Sequence, residues 1–234
     1  AYGKEYGQAT GIYQIMKNFL AKVGDRCLGA VIHAAFFVWT GITHVLYLPK
    51  ITYEDKAVKQ KLREPCILIA NHTSHNDGSF IPQVFWRSRI NVLVTTKWYD
   101  KKMLHTFFTH LRYIPINLKE MDNSWMDRAV EAIKRGESVL IFPEGKLSKD
   151  GKLSEFQPGF LMLARLTDAP VIPLAISGGY RKFHRQSVVV GSVNTFDVHA
   201  KGRPSVILRE GAASCQRQLE DMLHKSDKTD EAQA

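Results

Sequence analysis

From residue 51 onward the chain carries a series of short, continuous apolar runs, each bounded by polar or turn-forming residues. They are CILIA (66–70), INVLVTT (90–96), YIPIN (113–117), SVLIFP (138–143), APVIPLAIS (169–177), SVVVGSV (187–193) and PSVILRE (204–210). Runs this short and this apolar read as strands covered on both faces. Helical patterns lie between several of them. Met126, Ala129, Val130 and Ile133 make one face of a helix that starts near Ser124 and ends at Gly136, and a second helix covers Gly159 to Thr167. The alternation predicts an α/β fold, a mainly parallel sheet flanked by helices on both faces.

Residues 1–50 read differently. Ile12, Ile15, Met16, Phe19, Leu20 and Val23 recur at helical spacing with Gln14, Lys17, Asn18 and Lys22 between them, an amphipathic helix. Gly24-Asp25-Arg26 breaks that pattern, and residues 28–48 follow without a single Asp, Glu, Lys or Arg. As a helix the second run would reach about 32 Å, the hydrocarbon thickness of a bilayer. It can span, pair with the first helix as a hairpin in one leaflet, or lie in a protein core. Basic residues on both flanks (Lys17, Lys22 and Arg26 before; Lys50, Lys56, Lys59, Lys61 and Arg63 after) favour the hairpin with both ends on the cytoplasmic side. The expected division is a two-helix membrane motif over 1–50, an α/β domain over 51–220 and a polar, disordered tail over 221–234. No cleavable signal peptide is expected, because the first apolar run lies too far in.

The net charge of +9 favours an anionic partner. No nucleic-acid motif is present, and the charge-free apolar run is better explained by a membrane, so nucleic acid is set aside. Cys27, Cys66 and Cys215 are scattered and odd in number, which fits a reducing compartment and no cysteine metal site.

Two strand runs end abruptly in polar residues. CILIA is followed by Asn71, His72 and, five residues after His72, Asp77; SVLIFP is followed by Glu144, Gly145 and Lys146. Side chains at the carboxyl ends of such strands face ligand crevices. A turn after His72 can return Asp77 to the imidazole, where the carboxylate would hold one ring nitrogen protonated and leave the other as a base. Two other readings stand beside this one: a polar loop closed by an Asx turn, and a metal site using His72, His75 and Asp77. There is no G-x-S-x-G elbow to supply a serine nucleophile. An Asp-oriented histidine can instead deprotonate a hydroxyl of the substrate itself.

NHTSHND (71–77), YIPIN, FPEG (142–145) and VIPLAISG (171–178), in that order, resemble the glycerolipid acyltransferases, the 1-acylglycerol-3-phosphate and related lysophospholipid acyltransferases. The resemblance covers about residues 66 to 179. It maps the family's histidine and aspartate onto His72 and Asp77, and its glutamate and glycine onto Glu144 and Gly145. It implies transfer of a fatty acyl group from acyl-CoA or acyl carrier protein to the free hydroxyl of 1-acylglycerol-3-phosphate, with no metal and no cofactor beyond the acyl donor. His72 is then the base, Asp77 its orienting partner, and Glu144 a contact that positions the acceptor. The implied setting is the cytoplasmic face of a bacterial inner membrane with an anionic surface, the chain being held monotopically through residues 12–48.

This sequence departs from the family where arginines bind the acceptor phosphate. Leu118 and Lys119 follow YIPIN, and Lys146 and Leu147 follow FPEG. Lysine can bind phosphate as a point charge but lacks the bidentate fork. Lys119, Lys146 and Arg181 are the candidate replacements, and Asn71 joins them as a candidate substrate contact. The rival readings are an acyltransferase or transacylase with another lysolipid acceptor, and a non-catalytic lipid-binding protein.

Overall fold

The computed structural model describes residues 2–118, 123–148 and 152–231. The chain divides into two units, residues 1–39 and 40–234. Helix α1 (Tyr2–Tyr47) makes up the described part of the first unit and ends inside the second. The expected break at Gly24-Asp25-Arg26 does not occur, so α1 is one helix and not two. A glycine in a helix interior costs only about 1 kcal/mol relative to alanine, and no proline is present to remove a hydrogen bond. A single helix also lacks the reversal that the monotopic hairpin requires. Its stretch Leu20–Tyr47 is long and apolar enough to cross a membrane and is mostly exposed, which removes the core-helix reading. The apolar face read over Ile12 to Phe19 lies outside the described side chains.

In the second unit the elements run β1 (Lys50–Tyr53), α2 (Val58–Lys61), β2 (Ile67–Ala70), α3 (Asp77–Val84), β3 (Ile90–Thr95), α4 (Thr96–Tyr99), α5 (Lys102–His110), β4 (Ile114–Ile116), α6 (Ser124–Lys134), β5 (Ser138–Ile141), α7 (Gly159–Thr167), β6 (Val171–Ser177), β7 (Ser187–Val190) and α8 (Pro204–Glu231). The strands form one sheet in the order β1-β7-β6-β2-β5-β3-β4. Every pairing is parallel except β6 with β7. The mainly parallel sheet read from the sequence is present.

Alternation along the central strands divides the core into two layers. Ile67, Ile69, Val139, Ile141 and Val171 face the layer that holds residues of α6, α7 and α8. Leu68, Ala70, Leu140, Ile172 and Leu174 face the layer that holds α2 and α3. Side chains of a strand point alternately to opposite faces, so a run such as CILIA has to be apolar at every position to serve both layers.

The C-terminal segment departs from expectation. PSVILRE opens α8, and the helix continues through residues 221–231, which were expected to be a disordered tail. Val206-Ile207-Leu208 is β-like in composition, but the apolar positions recur beyond it. Leu208, Ala212, Cys215, Leu219 and Met222 are buried at steps of four and three, the period of a helix packed along one stripe. Pro204 suits the first helical turn, where its absent N–H has no intrahelical partner to lose.

Candidate active site

β2 ends at Ala70, and six residues reverse the chain before α3 begins at Asp77. The Asp77 side chain is fully buried, 0% exposed. Its Oδ2 accepts hydrogen bonds from the backbone N–H groups of Thr73 and Ser74, both at 2.8 Å. The same oxygen lies 3.0 Å from Nδ1 of His72. Oδ1 accepts the phenol hydrogen of Tyr180 at 2.5 Å. The start of a helix favours a negative charge in the first turn, which places the carboxylate well. Backbone amides can only donate, so Oδ2 is an acceptor and Nδ1 of His72 carries the hydrogen between them. In the neutral ring the lone pair then belongs to Nε2.

The imidazole stacks on Phe142, with ring centroids 4.2 Å apart and planes 21° apart. Phe142 follows β5, which pairs with β2 through Ile67–Val139, Leu68–Leu140 and Ile69–Ile141. The pairing brings the two polar strand ends side by side. Glu144 is buried there. Its Oε1 accepts the backbone N–H of His72 at 3.0 Å and its Oε2 accepts that of Ser154 at 2.9 Å. The His72 carbonyl accepts the N–H of Ser148 at 2.7 Å. Glu144 was expected to position an acceptor. Its buried carboxylate instead ties three backbone segments together, so it supports the His72 loop. Gly145 follows with φ +64°, a left-handed conformation that glycine adopts without strain.

Pro82 sits inside α3 and cannot donate to the carbonyl of Gly78 four residues earlier. The hydroxyl of buried Tyr113 donates to that carbonyl instead, at 3.0 Å. The first turn of α3, which carries Asp77, is thereby completed from the residue that precedes β4.

His72, Gly145 and Lys146 open onto a cavity of about 450 Å³. Trp98, Phe107, Phe108, Ile116, Leu118 and Trp125 contribute much of its wall, so it is largely apolar. A base beside an apolar cavity suits a substrate with a reactive polar end and a hydrocarbon body. Among the described residues no group of three His, Cys, Asp or Glu side chains could hold a metal ion, and His75 packs against Trp98 with ring centroids 5.3 Å apart.

Of the residues singled out in the sequence, the fold brings together His72, Asp77, Glu144, Gly145 and Lys146. Asn71 is turned away from the cavity and buried. Its Nδ2 donates to the carbonyl of Ile176 at 2.9 Å, and its Oδ1 accepts the Ile176 N–H at 2.8 Å. Ala70 is the last residue of β2 to pair with β6, opposite Leu174, and the Asn71 amide continues that ladder one step further. Asn71 fastens the sheet and does not line the cavity. Arg181 is exposed on the segment after β6 and does not line the cavity. Lys119 lies outside the described residues. Sequence reasoning missed Tyr180, Phe142 and Tyr113. The signal for Tyr180 was Gly178-Gly179, with φ +110° and +65°, which marks a sharp reversal at the end of β6.

Residues 50–177 match the family model described as Acyltransferase. A 1-acyl-sn-glycerol-3-phosphate acyltransferase of Limnanthes alba is 33% identical over 140 residues, 57% of this chain and 48% of its own length. The chloroplastic 1-acyl-sn-glycerol-3-phosphate acyltransferase of Brassica napus is 31% identical over 118 residues, 49% of this chain and 33% of its own length. The aligned part therefore spans less than half of these relatives. The crystal structure of the 1-acyl-sn-glycerophosphate acyltransferase PlsC from Thermotoga maritima shares the fold, with a TM-score of 0.54 at 20% identity, over 85% of this chain and 79% of that one.

Asn71→Ala would leave the N–H and C=O of Ile176 without partners in a buried place. It should destabilise the chain by about 2 to 4 kcal/mol. Thermal unfolding should show a midpoint lower by about 5 to 15 °C. A variant with an unchanged midpoint and lost activity would return Asn71 to the substrate.

Proposed function

The chain belongs to the acyltransferase family, and from that premise we propose that it transfers a fatty acyl group from a thioester donor, acyl-CoA or acyl carrier protein, to the free hydroxyl of a lysophospholipid. The observation that carries this reading is the buried Asp77 holding the His72 tautomer at the wall of an apolar cavity. Nε2 of His72 takes the hydroxyl proton as the acceptor oxygen attacks the thioester carbonyl carbon. A tetrahedral adduct forms, the carbon–sulfur bond breaks, and the imidazolium returns its proton to the leaving thiolate. The products are an ester and a free thiol, and no external nucleophile, oxidant or reductant is consumed. The apolar wall suits the hydrocarbon of donor or acceptor.

The acceptor in this reading is 1-acylglycerol-3-phosphate and the product phosphatidate, the activity named for the relatives above. A phosphate brought into a crevice without a cation would be costly to desolvate. Lys146 supports the assignment, since it lines the cavity directly after the Glu144–Gly145 turn. The test is an assay of the purified chain with acyl-CoA against a panel of lysolipids, read by mass spectrometry. Wild type should acylate 1-acylglycerol-3-phosphate, and His72→Ala should abolish nearly all transfer while staying folded by circular dichroism. Lys146→Met should lower kcat/KM for the phosphate-bearing acceptor by about 1.5 to 3 kcal/mol, the range for a hydrogen bond to a charged group. Preference for an acceptor without a terminal phosphate would instead favour the other-lysolipid reading.

The same reading places the chain at a membrane through the Leu20–Tyr47 stretch of α1. Leu28, Val31, Phe37, Val38 and Trp39 are exposed on it, a surface that hydrocarbon would cover. The segment after Tyr180 supports an anionic lipid surface: Arg181, Lys182, His184 and Arg185 are exposed around Phe183, itself 68% exposed. It is fastened to the end of α1, because the N–H groups of Phe183 and Gln186 donate to the carbonyls of Leu46 and Tyr47. Basic and aromatic side chains beside an apolar helix are suited to headgroups. The cysteines supply a test. Burial pushes the Cys66 thiol up to about 11 and the Cys215 thiol up to about 12, so both are slow toward maleimide at pH 8, whereas Cys27 is exposed on α1. In vesicles opened so that reagent reaches both faces, a water-soluble maleimide should label Cys27, which follows Arg26 at the edge of the charge-free run, but should leave a cysteine introduced by Phe37→Cys in the middle of that run unmodified until detergent denaturation. Rapid labelling of the Phe37→Cys thiol in intact bilayers would contradict the placement of α1.

A further inference from the structure

We infer that Tyr180 is a positioning residue for the His72 base, holding Oδ1 of Asp77 so that Oδ2 stays aligned with Nδ1 of the imidazole. The inference rests on the acyl-transfer reading above. Three donors converge on Oδ2, the two backbone amides and the imidazole. They fix that oxygen as a pivot but do not by themselves fix the plane of the carboxylate. Tyr180 supplies the donor on Oδ1, at 2.5 Å, and so sets the rotation. Without it a buried carboxylate oxygen would lose a hydrogen bond in a place where water cannot replace it.

Tyr180 is itself held from several sides. Its backbone is left-handed, φ +53°, and its N–H donates to Oε1 of the buried Gln186 at 2.9 Å. The reversal that delivers it needs Gly178, where a Cβ would stand 2.6 Å from the carbonyl oxygen of Arg185. Its ring meets Tyr47 edge-on with centroids 5.5 Å apart, and Phe80 edge-on at 5.4 Å. Phe80 is three residues after Asp77 on α3, on the same face, so the ring and the hydroxyl of Tyr180 grip one helix at two points. Burial, together with the Asp77 carboxylate and Tyr47, pushes the phenol well above its ordinary value, so it stays a donor across the working range of pH. Tyr180 does not line the cavity, so it acts through Asp77 and not on the substrate.

The experiment is a double-mutant cycle on the full chain in vesicles, with the donor and lysolipid that wild type uses best. Tyr180→Phe keeps both ring contacts and deletes only the hydroxyl. It should lower kcat on the order of 10-fold, the scale for removing a group that orients another functional side chain. KM for both substrates should stay unchanged, and the thermal midpoint should fall by only a few degrees, the cost of one lost hydrogen bond to a buried carboxylate, so that the variant is fully folded at the assay temperature. In an Asp77→Asn background the same substitution should cause no further loss, because its effect travels through the carboxylate. A wild-type kcat in Tyr180→Phe overturns the inference. So does a raised KM with kcat intact, which would make Tyr180 a substrate contact. A loss of kcat that tracks the unfolded fraction and disappears when the assay is run well below the midpoint would assign it to folding alone, and losses that add in the double variant would place its action elsewhere; either result overturns it. A wild-type chain that acylates no lysolipid removes the acyl-transfer reading itself, and this inference with it.

Discussion

One buried carboxylate organises the centre of this protein. Asp77 is enclosed by the chain, and such a group is tolerable only where donors replace the water it has lost. Here the backbone of Thr73 and Ser74, the imidazole of His72 and the phenol of Tyr180 do so. Each donor imposes a condition on the fold. The two amides require the chain to wrap tightly between β2 and α3. The imidazole requires His72 to lie at the end of a strand, next to the helix start. The phenol requires β6 to end in a reversal that returns Tyr180 from more than a hundred residues away. Meeting these conditions leaves one ring nitrogen with a lone pair beside an apolar cavity, which is what a general base for a lipid hydroxyl needs.

The parallel sheet makes this arrangement economical. β2 lies between β6 and β5, so its carboxyl end is flanked by the ends of both neighbours. β6 is fastened to it by Asn71, β5 by Glu144, and both fasteners are buried polar side chains bonded to backbone groups. A buried polar group left half satisfied would be costly, and each of these has backbone partners at both ends of its functional group. His72 therefore sits on a loop whose two neighbours are both tied to it, with Phe142 stacked on the imidazole.

Much of this was legible in the sequence because it is local. The strand runs announce themselves by continuous apolarity, and His72 and Asp77 are separated by a single turn. The convergence of the two polar strand ends followed from their both being parallel-strand termini. Tyr180 was not legible as a partner of Asp77, since the contact depends on the register of β6 and on two glycines whose conformation no apolar pattern reports. Asn71 was read as a substrate contact from its place at a strand end and Glu144 from the family resemblance; the hydrogen bonds to Ile176, His72 and Ser154 give both a structural role that neither signal reports. The C-terminal error has a different origin. Val206-Ile207-Leu208 is β-like over three residues, and the helical period becomes visible only when the window reaches Met222. The break expected at Gly24-Asp25-Arg26 failed because helix propensity is a weak term, and one glycine does not end a helix.

The central claim is that the Asp77 carboxylate makes His72 a base by fixing its tautomer and its orientation. Asp77→Asn tests it most directly, since the amide is close to isosteric but presents a donor where the shell offers only donors. Steady-state transfer from acyl-CoA to 1-acylglycerol-3-phosphate, measured beside circular dichroism and vesicle binding, should show kcat lower by about 10² to 10⁴ with a wrongly oriented imidazole. Secondary structure and membrane binding should be unchanged. Transfer by Asp77→Asn at the wild-type rate would contradict the account.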